Sequence, residues 1–272
     1  EWAEASSDPE AWSLWWEDPN AESYYFVGKD NIPFHTVIWP AMLMGYEGLN
    51  LPTDVPANQY VTFGAQKASA SRGVGRSIGW YAERLQPDAI RYALSAVLPE
   101  QQDTDLSDAE IIRRVNEELV ATWGNLVNRV LTISSRNFDG QVPEPGELTP
   151  EDSRIAAVGQ SVLTDTAAAI EKVELRAGLR AAMDAATEVN VYLNATEPWK
   201  LLKTDRDRAA TVLWSAIQAI AGIRVAMHPY LPYSSAAVGE MLGIEGDIED
   251  WSAPTIPGGQ PLGEITPLFT KL

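Results

Sequence analysis

Near residue 105 the hydrophobic period of the chain changes, and that change limits the folds open to it more than any other feature. Before it, short β-rich runs end on glycine: Tyr24-Tyr25-Phe26-Val27 then Gly28, and Gln59-Tyr60-Val61-Thr62-Phe63 then Gly64. Between them Phe34 to Gly45 predicts a helix, with Pro33 near its start and Gly45 after its end. Strand, helix and strand with glycines at the strand ends are the pattern of an α/β sheet. After residue 105, Ile112, Val115, Leu119, Leu126, Val130 and Ile133 keep the three-and-four spacing of a helix with one apolar face. A polar loop with Pro143 and Pro145 follows. Thr149-Pro150-Glu151-Asp152 then supplies an N-cap, a proline at the first helical position and acids in the first turn. Helical pattern continues to Asn194 with a break near Glu171 to Glu174, is interrupted at Pro198, and resumes from Asp205 to Met227. From Asp250 the tail is rich in proline and glycine and predicts irregular backbone. The second half is therefore expected to be a helix bundle.

Composition narrows the function classes. The 272 residues suit one or two domains, and 38 acids against 20 bases give a net charge of −18. Such a balance excludes a protein that coats nucleic acid or an anionic membrane non-specifically, while leaving room for RNA recognition at a local patch. Residues 1–30 carry eight acids and one base, whereas Val61 to Arg91 carry five bases against Glu83 and Asp88. The absence of cysteine excludes disulfides, thiol catalysis and cysteine-ligated metal. His35 and His228 are too far apart in sequence to suggest a metal pair. The apolar stretch Ala209 to Met227 is broken by Thr211, Ser215, Gln218, Gly222 and Arg224, as in a buried helix rather than a membrane span. The chain opens on Glu1-Trp2 without an initiator Met or signal peptide, and a fragment or processed chain is expected.

Two segments carry chemistry. A strand ending in Gly28 lets a ligand approach the backbone at the strand's carboxyl end, where α/β sheets bind ligands. Asp30 lies just beyond, able to accept from a ribose diol, and His35 and Trp39 are four apart on the next helix. A nucleotide site and ordinary core packing both fit these residues. Five of the ten tryptophans fall in the first 39 residues, where core packing is the common role. The second segment, Gly64-Ala65-Gln66-Lys67-Ala68-Ser69-Ala70-Ser71-Arg72-Gly73, could hold phosphates through amides, hydroxyls and charge, or be a plain polar loop.

Taken together and in this order, the segments resemble the methionyl-tRNA synthetase family of class I aminoacyl-tRNA synthetases, over nearly the whole chain. Gly28 to Leu43 is similar to the family's strand and helix beside the methionine and adenosine sites. Lys67-Ala68-Ser69-Ala70-Ser71 stands where the family has its KMSKS loop. Asn125-Leu126-Val127-Asn128-Arg129 and Glu197-Pro198-Trp199 resemble its anticodon-reading elements, and Leu268-Phe269-Thr270-Lys271-Leu272 the close of its core. The resemblance implies a Rossmann-like α/β remnant followed by an all-α anticodon-binding bundle, mainly α overall. It divides the chain into 1–65 (second half of the catalytic domain), 66–104 (the lysine loop and a linker contacting the tRNA stem), 105–238 (the bundle) and 239–272 (a segment packing back on the catalytic side). It further implies that Gly28, Asp30, Val61 and Lys67 contact ATP, and that Phe34, His35 and Trp39 shape the methionine pocket. Lys67 and Ser69 serve catalysis, and Asn125, Arg129 and Trp199 read the anticodon. ATP with Mg2+, methionine, the tRNA for methionine and a cytoplasmic setting follow from the same resemblance, with no metal held by the chain itself and no membrane partner.

Two departures qualify these expectations. The family's HIGH-type signature and its connective insertion are absent, so the chain is expected to need a separate or cleaved N-terminal half and to be inactive alone. In the loop, Ala68 replaces Met and Ala70 replaces the second lysine. Adenylate formation expels pyrophosphate, and losing one donor to the growing charge typically costs about 3 kcal/mol. Arg72 and Arg76 are the nearby cations. Methionine–tRNA ligation is the leading reading. A non-catalytic tRNA- or partner-binding module is the alternative, which the loss of the signature favours and the retention of Asp30 and His35 opposes. An amino-acid ligase derived from a synthetase would have no use for Asn125, Arg129 and Trp199.

Overall fold

Strand β1 (Val27–Gly28) lies parallel to β2 (Ala57–Asn58), with Val27 opposite Ala57 and Gly28 opposite Asn58. A parallel bridge between Tyr24 and Asp54 extends the pairing. In this computed structural model residues 8–63, 66–67 and 75–272 are described, and the chain divides into two units, Glu1–Val74 with Leu98–Asp105 and Gly75–Val97 with Leu106–Leu272.

In the first unit a second sheet has β3 (Val61–Phe63) at its centre, antiparallel to β4 (Gln66–Lys67) and parallel to β5 (Thr104–Asp105). Both expected runs thus form strands, shorter than the sequence pattern indicated. A parallel neighbour requires a crossover, which the chain makes between β3 and β5. A short helix α1 (Ser13–Trp16) precedes the strands. The expected helix after Pro33 begins as a π-turn, Phe34–Ile38, and continues as α2 (Trp39–Tyr46), with Pro40 in its first turn. Of α2 only Leu43 is buried. Phe26, Ile32, Val37, Ile38, Met42 and Met44 are all exposed, so this unit presents an apolar surface.

The second unit is helical: α3 (Ile78–Ala82), α4 (Pro87–Ala96), α5 (Asp108–Arg113), a π-helix (Arg114–Gly124), α6 (Asn125–Asn137), α7 (Pro150–Glu171), α8 (Leu175–Thr196), α9 (Pro198–Leu201), α10 (Arg206–Met227) and α11 (Pro232–Met241). The π-helix runs straight into α6, so the stretch expected to be one α-helix changes its hydrogen-bonding ladder along its length. At the start of α7 Thr149 is the expected N-cap, and with Asp152 it forms a capping box, each side chain accepting from the other's backbone N–H. The break between α7 and α8 falls at residues 172–174.

Helix α10 is long and apolar enough to cross a membrane, yet it is enclosed by the bundle. It packs against α7, α8, α9 and α11, and a helix apolar on all sides belongs in a core. Its contact with α7 is close: a Cβ on Gly222 would lie 2.4 Å from the Gly159 backbone. Gln218 and Trp214 on α10 find their partners in the tail. Gln218 Nε2 donates to Ile256 O (2.8 Å) and Gln218 Oε1 accepts from Ile256 N (2.9 Å), while Trp214 Nε1 donates to Ile256 O (3.2 Å). The tail is irregular, as expected, and pairs with the loop before α7 through Val142 N to Gln260 O (2.9 Å) and Gly259 N to Val142 O (2.8 Å).

Candidate functional site

In the first unit the strand end at Gly28 leads into a single 3-10 turn, Lys29–Asn31, which carries Asp30. Nothing outside its chain neighbours lies within 4 Å of where a Gly28 Cβ would stand. The Asp30 carboxylate accepts from the Tyr60 hydroxyl. Tyr60 is itself fixed from two sides. Its N–H donates to Asp103 Oδ1 (2.9 Å), and the Lys29 ammonium stands 3.9 Å from the centre of its ring. Lys29 also donates to Asp103 Oδ1 (2.8 Å) and Gln59 Oε1 (3.0 Å). Val61, the next residue, enters β3 half-buried, opposite Thr104. Asp30, Tyr60 and Val61 are thus brought together at the ends of two strands. Lys29, Tyr60 and Asp103 were not singled out from the sequence; Asp103 lies 74 residues from Lys29.

His35 and Trp39 converge on one ring. Tyr25 stands 6.1 Å from His35 and 6.4 Å from Trp39 between ring centres, and Trp16 meets Trp39 edge-on at 6.2 Å. Edge-on aromatic pairs at these separations add packing energy beyond buried area. His35 Nδ1 is 3.1 Å from Asn31 O. A carbonyl partner requires the proton on Nδ1. Phe34, in contrast, is 55% exposed and stands outside this ring cluster. The Trp39 indole nitrogen is buried without a hydrogen-bond partner.

Of the expected phosphate loop, Lys67 is placed by its backbone in β4, opposite Thr62. Ser69, Ala68, Ala70 and Arg72 lie outside the described residues. In the second unit Arg76 is already engaged: its Nε donates to Asp108 Oδ2 (3.0 Å) and its guanidinium lies 4.0 Å from the Trp80 ring centre. Asp108 also accepts from the Tyr81 hydroxyl at 2.6 Å. Hydrogen bonds from Tyr81 and Arg76 hold the Asp108 carboxyl below its usual range, and burial together with Asp108 pushes the Tyr81 phenol up to about 12.

The second unit carries the other expected residues, of which Arg129 and Trp199 are in contact. Asn125 opens α6, exposed, and Arg129 follows one turn later. Trp199 lies in the first turn of α9, half-buried after Glu197 in a left-handed conformation (φ 44°) and Pro198. The Arg129 guanidinium stands 5.2 Å from the Trp199 ring centre, a cation–π distance. Two residues missed by the sequence reading complete the arrangement. Arg129 Nη2 donates to Asn190 Oδ1 (3.0 Å) and Nη1 to Asn194 Oδ1 (3.2 Å). Burial lowers the Arg129 pKa. A cavity of about 430 Å3 between α4, the π-helix and α8 is floored by Leu179 and Met183. Its lining contains none of the residues expected to function, and its Arg114 is already paired with Glu110 and Glu118.

One unit thus holds the open strand end at Gly28 and an aromatic cluster, and the other a polar, aromatic group around Arg129. Comparison with known proteins matches the chain in two parts. Residues 1–131 match the family described as tRNA synthetases class I (M), and residues 142–259 match the anticodon binding domain of methionyl tRNA ligase. A methionine–tRNA ligase of Roseiflexus castenholzii is 45% identical over all of this chain and 51% of its own length. One from Thermobifida fusca is 40% identical over all of this chain and 52% of its own length. Among solved structures, Mycobacterium tuberculosis methionyl-tRNA synthetase in complex with methionyl-adenylate superposes with a TM-score of 0.86 at 29% identity, over 92% of this chain and 50% of that one. The chain spans about half the length of the relatives it matches. With a Rossmann-like remnant followed by a helical anticodon domain, each matched to the same enzyme group, the chain belongs to the methionyl-tRNA synthetase family of class I aminoacyl-tRNA synthetases.

Proposed function

We propose that this chain supplies the adenosine-facing side of the active site and the anticodon-reading bundle of a cytoplasmic methionine–tRNA ligase. In that reaction a methionine carboxylate oxygen attacks the α-phosphate of ATP and pyrophosphate leaves. A hydroxyl at the tRNA 3′ end then attacks the acyl carbon and AMP leaves. Gly28 leaves room for the adenosine, Asp30 accepts from the ribose, and Val61 borders the base. His35 and Trp39, set around Tyr25, form one wall of the methionine pocket, with Phe34 free to swing onto it. Lys67 and Ser69 bind the triphosphate, which brings Mg2+ with it.

The apolar surface over Phe26, Val37, Ile38 and Met42 supports a partner for the first unit. Exposed apolar patches of this kind mark interaction sites. The partner we propose is polypeptide equivalent to the part of the relatives that this chain does not span.

The observation that carries the proposal is the Asn125, Arg129 and Trp199 arrangement, because an unpaired RNA base stacks on an aromatic ring and offers its edge to directional donors. Base stacking on an aromatic is worth about 1–3 kcal/mol. Titration of fluorescent anticodon stem-loops is expected to give weak binding with CAU, weaker binding with GAU, and a loss of about tenfold or more for Trp199→Ala. Binding indifferent to both the anticodon and Trp199 would defeat the proposal.

A further inference from the structure

Arg129 is a cation held by neutral groups. Both of its contacts from α8 are amide oxygens, Asn190 Oδ1 and Asn194 Oδ1, and it forms no ion pair among the described residues. Its Nε is buried without a partner. The orientation of Asn190 is dictated by its surroundings. Its Nδ2 donates to Thr122 O (3.1 Å) in the π-helix and to Ala186 O (3.0 Å) one turn back in α8. With both donors spent on carbonyls, Oδ1 has to face the guanidinium. The one side chain therefore ties together the π-helix, α8 and the arginine on α6. Aspartate would set an oxygen against two carbonyls and neutralise the cation, and alanine would leave Nη2 unheld.

We propose that Asn190 is the positioning residue of Arg129: it aims the guanidinium while leaving its charge available to RNA, and so sets anticodon discrimination without touching the RNA itself. This rests on the anticodon-reading role given to Arg129 above. Holding by a neutral acceptor matters in a chain of net charge −18, because a local cation is what offsets repulsion of the phosphates.

The test uses the 272-residue chain and fluorescent stem-loops bearing CAU or GAU, titrated at several salt concentrations, with thermal unfolding of each variant. Asn190→Ala is expected to cut the CAU-over-GAU preference about fivefold or more. Asn190→Asp should do the same and also flatten the dependence of log affinity on log salt by about one, which loss of packing alone would not do. Placed on an Arg129→Ala background, Asn190→Ala should change the preference by less than about twofold, since the two act as one. Asn194 contacts the same arginine from a more exposed position, and Asn194→Ala serves if the Asn190 variants unfold; a smaller loss, again dependent on Arg129, is expected. A preference kept by Asn190→Ala, a loss that persists without Arg129, or an Asn194→Ala loss independent of Arg129 would overturn the proposal. A wild-type chain with no preference for CAU would instead overturn the anticodon reading, and this inference with it.

Discussion

At Asp152 a carboxylate with no exposed surface meets three kinds of donor. Arg208 reaches it with two nitrogens at 2.5 and 2.8 Å, Thr149 donates from backbone and side chain at 2.8 Å each, and the Tyr192 hydroxyl also donates to it. Burial alone would raise its pKa, but the bonds from Arg208, Tyr192 and Thr149 outweigh it and hold the carboxyl well below the usual range. Removing one partner of a buried pair costs about 3–5 kcal/mol. Because the Arg208 side chain is 27% exposed, Asp152→Ala should fall at the lower end, near 3 kcal/mol, by chemical denaturation. The pH dependence follows from the sign of the shift. The folded pKa is depressed, so the stabilisation is full above the unfolded value of about 3.9 and is lost as pH falls from there through the folded value. The wild-type unfolding midpoint should therefore drop below pH 4 more steeply than that of Asp152→Asn; equal acid slopes would contradict this. Thr149, Pro150 and Asp152 could be read in the sequence as a cap because a cap is made within four residues. The network's other members could not, since Tyr192 and Arg208 lie 40 and 56 residues away. The same distance in sequence hid Asn190 and Asn194 from Arg129, although Asn125, Arg129 and Trp199 were identified by their resemblance to known motifs.

Helix boundaries set by local chemistry were legible, and contacts set by two helices meeting were not. The ends of α7, α8 and α10 follow Thr149, the break at residues 172–174, and the Asp205 cap. The change to a π-helix at Arg114–Gly124 leaves no mark in the apolar spacing, because Val115 and Leu119 are buried in either ladder. Strand β5 was also missed, since two residues carry no alternation; Thr104 and Asp105 form a strand through their pairing with Val61 and Thr62. Gly222 read in the sequence as an interruption of an apolar run. It is the point where α10 meets α7 backbone to backbone, with a Cβ there 2.4 Å from Gly159 Cα. Gly222→Ala forces the helices apart, and overpacking of this kind costs about 1–3 kcal/mol. Gly159→Ala, whose Cβ would sit 3.0 Å from its nearest neighbours, should cost less. Thermal unfolding of the two variants checks the order; a milder effect for Gly222→Ala would refute the crossing.

For the molecule as a whole, the proposal predicts that catalysis needs polypeptide beyond these 272 residues. The chain alone should not exchange pyrophosphate into ATP with methionine. Mixed with a separately produced polypeptide matching the unspanned part of its relatives, it should gain exchange activity, and Ala70→Lys should raise that rate by up to about a hundredfold. Exchange by the chain alone, or none in the mixture, would count against the arrangement. Arg76 is already engaged with Asp108 and Trp80. The exposed apolar surface of the first unit also bears on the chain before any partner arrives. Its side chains favour self-association, while a charge of −18 opposes it by mutual repulsion between copies. That repulsion reaches about 30 Å at 0.01 M salt but about 10 Å at 0.1 M. Ionic strength therefore governs the colloidal behaviour of the chain: in dilute salt, charge keeps the sticky faces of separate copies out of reach of one another, and added salt brings them within it.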